Sequence, residues 1–74
     1  MSTVLVSGCY DPLHAGHLQF FHAARALGSN LIVSVSSDDA IRRYKRRAPF
    51  IPEAHRLALV RALRDVGIAR LDGY

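Results

Sequence analysis

Cysteine and long apolar runs are scarce in this sequence, and their scarcity excludes several classes of protein. The only thiol cannot form an intramolecular disulfide, and with four scattered histidines it does not make a zinc ligand set. No apolar stretch approaches the ~20 residues that span a bilayer. No basic segment followed by an apolar core marks a signal peptide near the start. We therefore expect a cytoplasmic protein that does not enter a membrane.

The length and composition are those of a small globular domain. Of the 74 residues, 50% are hydrophobic and 22% are charged, which is typical of ordinary soluble proteins. At this size, folding buries only about 60% of the surface of the unfolded chain. We expect one domain over residues 1–74, with modest stability.

The most informative stretch runs from Cys9 to His17 and follows a short apolar strand. Residues 3–6 are apolar enough for a buried strand of a parallel sheet. Pro12 biases Asp11 away from helical geometry, so the chain becomes helical only near residues 14–17. Two histidines therefore lie at a helix N-terminus.

A histidine pair at a helix N-terminus indicates phosphate binding. Free backbone N–H groups and the positive end of the helix dipole attract anions there. His14 and His17 lie three residues apart, so both can donate from Nε2 to one polyphosphate. Gly16 lets a ligand or the loop backbone approach closely. The alternative, helix capping or packing in the core, suits a lone histidine better than a pair.

The rest of the chain alternates strands and helices, which predicts a right-handed parallel βαβ unit with functional loops at the carboxyl ends of its strands. We expect a helix over residues 17–27, with Gly28 as its C-cap, and a strand over residues 31–35. A short helix should end near Tyr44, and a third should run from Pro52 to about Asp65. The apolar side of the first helix comprises Phe20, Phe21, Ala24 and Leu27.

A basic segment, residues 42–47, holds half of the ten lysines and arginines and explains most of the net charge of +4. One interpretation is a patch for nucleic acid or another acidic surface. We favour the other, a mobile loop in which Lys45 and a neighbouring arginine close over substrate phosphates. Arg56 falls on the apolar side of the third helix, where it needs an anion unless it snorkels to solvent.

The stretch Gly8-Cys9-Tyr10-Asp11-Pro12-Leu13-His14-Ala15-Gly16-His17 resembles the G-[TC]-[FY]-D-x-x-H-x-G-H signature of a nucleotidyltransferase superfamily. That superfamily includes glycerol-3-phosphate cytidylyltransferase and the heptose-phosphate adenylyltransferase domain. Residues 31–38, 41–45 and 49–57 extend the resemblance, which covers about residues 3–70. It implies an α/β, Rossmann-like fold, a parallel sheet flanked by helices. The sequence lacks the superfamily's later I-S-[ST]-[ST] motif, so we expect the N-terminal portion of that fold.

The resemblance also implies a reaction, in which a substrate phosphate attacks the α-phosphate of a nucleoside triphosphate and releases pyrophosphate. ATP is favoured over CTP, and the acceptor is a phosphorylated sugar or polyol. Mg²⁺ would be held mainly by the nucleotide phosphates. The implied catalytic residues are His14, His17 and Lys45. The implied nucleotide-binding residues are Gly8, Cys9, Tyr10, Asp11, Gly16, Arg46 and Arg56, and the implied acceptor-binding residues are Asp38 and Arg42.

Several alternatives stay open at this point. Asp38 could simply cap the second helix, and Asp11 could order its loop or bind a metal. The chain could be a remnant that binds nucleotide without catalysis, or a small basic domain that binds nucleic acid, although we do not favour a nucleic-acid partner. A third strand beginning at Ile68 would leave apolar surface and a strand edge open, which favours a homodimer.

Overall fold

The computed structural model describes residues 2–72 and contains three strands and three helices within that range. Met1, Gly73 and Tyr74, which the predicted domain includes, lie outside the described residues. The elements in chain order are β1 (Thr3–Gly8), α1 (Ala15–Ala26), β2 (Asn30–Ser36), α2 (Asp38–Lys45), α3 (Glu53–Arg61) and β3 (Ile68–Asp72).

The three strands form one parallel sheet in the order β1-β2-β3. In its register, Val33 of β2 lies between Val6 of β1 and Ala69 of β3. All three strands therefore end at the same edge of the sheet, and the backbone N–H of Ser37 donates to the carbonyl of Asp72 across that edge (3.0 Å). The predicted α/β class and parallel sheet are confirmed.

The core lies between one face of the sheet and the two longer helices. Leu31, Val33 and Val35 alternate along β2 and are completely buried there. Phe21 of α1 and Val60 of α3 belong to the same cluster, so both helices cover the same face. On the opposite face, Leu5, Ile32 and Ile68 lie side by side in three neighbouring strands, and Leu5 and Ile68 are 60% and 51% exposed.

The apolar side predicted for α1 is only partly correct. Phe21 and Ala24 are buried, whereas Phe20 and Leu27 are exposed, because α1 contacts the sheet along a narrow stripe. The predicted C-cap is also wrong, since Leu27 is the C-cap and Gly28 has no positive φ. A Cβ on Gly28 would lie 2.8 Å from the carbonyl oxygen of Ser2, so close backbone approach explains this glycine.

The ends of α2 and α3 differ slightly from the predicted ones. α2 extends to Lys45, and Ser37 caps it by accepting a hydrogen bond from the N–H of Ala40 (3.1 Å). α3 ends at Arg61 rather than near Asp65, and Pro52 is its N-cap. Beyond Arg61, tight turns with i→i−3 hydrogen bonds let residues 63 and 66 pack against the core.

No helix within residues 2–72 is long and apolar enough to cross a membrane. The cytoplasmic location stays a prediction.

Candidate functional site

The predicted site residues meet at the carboxyl edge of the sheet, in the loop after β1 and at the starts of α1 and α2. The Asp11-Pro12 peptide bond in this loop is cis. The residues brought together there are Gly8, Cys9, Tyr10, Asp11, His14, Gly16, His17, Asp38 and Arg56.

The two histidines cap α1 and each other. Nδ1 of His14, the N-cap, accepts a hydrogen bond from the N–H of Gly16 (3.0 Å), and Nδ1 of His17 accepts one from the N–H of His14 (3.0 Å). Their ring centroids lie 4.0 Å apart. Because each Nδ1 acts as an acceptor, the proton of each neutral ring is on Nε2. Capping by Nδ1 thus leaves two Nε2–H donors beside each other at the helix N-terminus.

The pKa of His17 favours the neutral ring that this capping requires. Burial of the ring, followed by the proximity of His14, lowers the pKa of His17 below its ordinary value of 6.5. A neutral ring is required for Nδ1 to accept the N–H of His14. The capping hydrogen bond and the lowered pKa therefore favour the same form.

Gly16 is required by the cap itself. A Cβ at this position would lie 2.8 Å from Cε1 and 3.0 Å from Nδ1 of the His14 ring. The sequence predicted a close approach by a ligand or by the loop backbone. In the structure, the group that approaches is the His14 side chain as it caps the helix.

Tyr10 supports His17 by packing between it and the core residue Phe21. Its ring packs edge-on against His17 and at a tilt against Phe21, with centroid distances of 5.2 Å to each. A Cβ on Gly8 would lie 2.9 Å from Cζ of Tyr10, so glycine leaves room for this ring. Tyr10 has a φ of 53°, and burial, with a smaller effect of Cys9, raises the pKa of its hydroxyl to about 12.

Asp11 orders the loop that precedes α3. Its carboxylate is fully buried and accepts hydrogen bonds from the N–H groups of Phe50 (2.9 Å) and Ile51 (2.7 Å) and from Nη1 of Arg47 (2.9 Å). Burial alone would raise the pKa of Asp11, but these hydrogen bonds and the charge of Arg47 outweigh it and lower the pKa. Of the two predicted roles, the geometry fits loop ordering.

Arg56 is completely buried, so the snorkelling alternative is wrong. The anion that it needs is Asp38, whose Oδ1 accepts a hydrogen bond from Nη2 of Arg56 (2.6 Å). The backbone N–H of Asp38 donates to Oε1 of Glu53 (2.7 Å). Asp38 therefore joins α2 to α3, while Ser37 provides the side-chain cap of α2.

A family model described as cytidylyltransferase-like matches residues 5–70. The chain belongs to the cytidylyltransferase-like family. The resemblance seen in the sequence motif is thereby confirmed.

Individual relatives agree with this assignment. The bifunctional protein HldE of Methylococcus capsulatus is 44% identical over 72 residues, which cover 95% of this chain and 15% of that protein. FAD synthase of Thermococcus kodakarensis is 46% identical over 63 residues, or 85% of this chain and 42% of that protein. The crystal structure of a lipopolysaccharide core biosynthesis protein from Thermoplasma volcanium matches with a TM-score of 0.90 at 35% identity, covering 97% of this chain and 58% of that one. The chain thus spans less than two thirds of each relative.

The basic segment of this cytidylyltransferase-like chain is more helical than predicted. Arg42 and Lys45 lie on α2, and Arg46 is its C-cap with a φ of 54°. All three side chains are exposed and make no hydrogen bond or ion pair within residues 2–72. Their place at the end of α2 suits the negative end of the helix dipole. The helix thus extends one residue past the end predicted near Tyr44, and a loop can begin only after Lys45.

Sequence reasoning missed two residues of the site, Arg47 and Glu53. Arg47 was grouped with the basic segment, yet it pairs with Asp11 and its guanidinium lies 4.5 Å from the ring centroid of Phe50. Glu53, in the first turn of α3, accepts a hydrogen bond from the N–H of Asp38. Nothing in the local pattern distinguishes these residues, because their partners lie 36 and 15 positions away in the chain.

Proposed function

We propose that this protein acts in nucleotidyl transfer, with ATP favoured over CTP as the donor. A phosphate oxygen of the acceptor attacks the α-phosphorus and forms the new P–O bond. The bond from that phosphorus to the oxygen bridging the α- and β-phosphates breaks, and pyrophosphate leaves with its electron pair. The observation that supports this reaction best is the histidine cap, which leaves two Nε2–H donors at a helix N-terminus.

The relatives support a small phosphorylated molecule as the acceptor. FAD synthase takes its name from FAD, which contains an adenylyl group, and this favours ATP. The lipopolysaccharide core biosynthesis protein suits a sugar phosphate. A flavin phosphate carries its phosphate on a ribityl chain, so it too is a polyol phosphate. We therefore propose a sugar or polyol phosphate as the acceptor class.

Each residue of the site has a proposed part in this reaction. His14 and His17 donate hydrogen bonds to the phosphates as charge develops on them. Lys45 and Arg46 at the end of α2 add positive charge, and Arg42 on the same helix reaches toward the acceptor phosphate. Gly8, Cys9, Tyr10, Asp11 and Gly16 shape the loop around the nucleotide.

Mg²⁺ would be held by phosphate oxygens and water rather than by a protein cage. Within residues 2–72, no group of three or more histidine, cysteine, aspartate or glutamate side chains is placed to hold a metal. The carboxylate of Asp11 already accepts three hydrogen bonds. When bound, the ion would neutralise charge on the departing pyrophosphate.

The test is a pyrophosphate-release assay with each nucleoside triphosphate against a panel of sugar, polyol and flavin phosphates. His17→Ala should lower turnover by about 10²-fold, because it removes the imidazole Nε2–H donor. The N–H of His14 that loses its partner in this variant is exposed and can bind water, so the fold should be retained. His55→Ala, at an exposed histidine outside the site, is the matched control.

Two results would count against this function. Nucleotide binding without pyrophosphate release for any pair would identify a non-catalytic remnant. If the protein does not bind nucleotides but binds nucleic acid strongly, with an affinity that falls steeply as salt is added, it is a basic nucleic-acid-binding domain instead.

A further inference from the structure

Arg56 lies at the centre of the carboxyl edge and joins four segments of the chain. Its Nε donates to the carbonyl of Ile51 (2.8 Å), and its Nη1 donates to the carbonyls of Cys9 (2.8 Å) and Ser36 (2.6 Å). Its Nη2 donates to Oδ1 of Asp38 (2.6 Å). The side chain is fully buried, and each nitrogen of its guanidinium donates to an oxygen atom of the protein.

The hydrogen bonds of Arg56 and those of Asp11 form a closed ring through Ile51. Ile51 donates its N–H to Oδ1 of Asp11 and accepts at its carbonyl from Nε of Arg56. Arg56 also holds the carbonyl of Cys9, two residues before Asp11. The short segment from Cys9 to Asp11 is therefore held at both of its ends by groups that meet at Ile51.

This ring of hydrogen bonds is connected to the histidine pair by a residue that packs against His17. Between its two anchors lies Tyr10, whose backbone has a φ of 53° and whose ring packs against His17. A shift of the Cys9 carbonyl would turn the Tyr10 ring and remove the support under His17. Only a planar group with several donors can bind three carbonyls and a carboxylate together, so lysine could not replace arginine here.

We infer that Arg56 is a positioning residue, which sets the histidine pair through the Cys9 carbonyl and Ile51 while Asp38 fixes its guanidinium. This inference rests on the proposed function and deepens it. It replaces the direct contacts with nucleotide and acceptor that the sequence resemblance implied for Arg56 and Asp38. In this arrangement, both residues act on the substrate phosphates only through the histidines.

The first test reads the histidine rings without any nucleotide. In ¹⁵N NMR of the wild-type protein, His14 and His17 should show an acceptor Nδ1 and a protonated Nε2. Arg56→Lys should abolish this pattern at His17, the ring against which Tyr10 packs, and weaken binding of inorganic pyrophosphate by about 10-fold or more. Arg61→Lys should leave both unchanged, because Arg61 lies on the same helix but donates to the carbonyl of Ala69 in β3.

The same variants decide against the inference in two ways. A retained tautomer pattern in Arg56→Lys would overturn it, and weaker pyrophosphate binding with that pattern retained would show direct contact instead. If Arg56→Lys does not fold, Asp38→Asn decides, since it keeps an oxygen acceptor but removes the charge that fixes the guanidinium. Loss of the pattern in Asp38→Asn supports the inference, and its retention overturns it.

An activity measurement separates this inference from the proposed function. Wild-type protein that releases no pyrophosphate with any substrate pair would count against nucleotidyl transfer, while the NMR comparison would still decide on positioning. With an active substrate pair, Arg56→Lys should lower kcat by about 10-fold or more, and the KM of the triphosphate should rise as binding of its phosphates weakens.

Discussion

At the scale of single residues, each histidine of the site uses its two ring nitrogens for different purposes. Nδ1 of His14 caps α1, and its Nε2 is left to donate. Replacing this residue by alanine therefore removes a cap and a phosphate donor together. Asparagine is among the best N-cap residues, and its shorter side chain places no N–H donor at the position of Nε2.

We predict that His14→Ala destabilises the fold by ~0.5–2 kcal/mol and that His14→Asn retains most of this stability, because only asparagine can still cap α1. Both variants should lose about 10²-fold in turnover, since both lack Nε2–H. Urea unfolding and the pyrophosphate assay measure the two effects separately. Equal stability of the two variants would show that the cap contributes nothing.

The Tyr10 hydroxyl gives a second prediction at this scale. It is buried and has no hydrogen-bond partner among the described residues. An unpaired buried hydroxyl costs roughly 1–3 kcal/mol, so Tyr10→Phe should unfold at the same or a higher urea concentration than wild type. Lower stability of Tyr10→Phe would mean that the hydroxyl does bind a partner in solution, such as a buried water molecule.

At the scale of the elements, the N-terminus of α1 couples helix stability to the site. Alanine normally favours a helix over glycine by about 1 kcal/mol. At Gly16, however, a Cβ would press against the His14 ring at 2.8 Å. We predict that Gly16→Ala leaves the melting temperature nearly unchanged and lowers turnover at least ~10-fold, because the ring must move. Unchanged turnover would show that the cap geometry is not needed for activity.

The free energy of unfolding should decrease as the pH is lowered, over two separate ranges of pH. The pKa of His17 is lowered from 6.5, so the unfolded chain binds more protons below that pH. The stability therefore falls as the pH drops from 6.5 through the lowered pKa. The pKa of Asp11 is lowered from 3.8, so its contribution is present above 3.8 and is lost below it.

Urea unfolding measured at pH values from 8 to 2, a range of about 6 units, should resolve the two declines in the free energy of unfolding. His17→Gln should shrink the upper decline, and Asp11→Asn should abolish the lower one. An upper decline of the same size in His17→Gln would assign it to the other histidines.

Sequence pattern predicted the strands and helices better than it predicted where they end. Apolar runs and their periods place β1, β2 and the three helices. Their ends depend on distant groups, as at Gly28, where the Ser2 carbonyl decides the geometry. The end of α3 depends likewise on how Leu63 and Val66 pack against the core. Neither contact has a local signal in the sequence.

At the scale of the whole molecule, the parallel topology made it predictable that the residues of the candidate site lie together, because strands that run together end together. The pairing of the charged side chains at this edge of the sheet was not predictable. Asp11 pairs with Arg47 and Asp38 pairs with Arg56 across long stretches of sequence. Local pattern shows that a buried arginine needs an anion, but only the fold determines which carboxylate lies beside it.

The open face of the sheet leads to a prediction about assembly. Leu5 and Ile68 are exposed on the face that α1 and α3 leave uncovered, and Ile32 lies between them. Apolar surface of this kind favours association. We predict that the 74-residue chain self-associates as its concentration rises in sedimentation velocity, and that the double variant Leu5→Thr, Ile68→Thr stays monomeric. Leu27→Ser, an exposed leucine at the end of α1, should associate like wild type. A wild-type monomer at every concentration would show that this face does not bind a second copy.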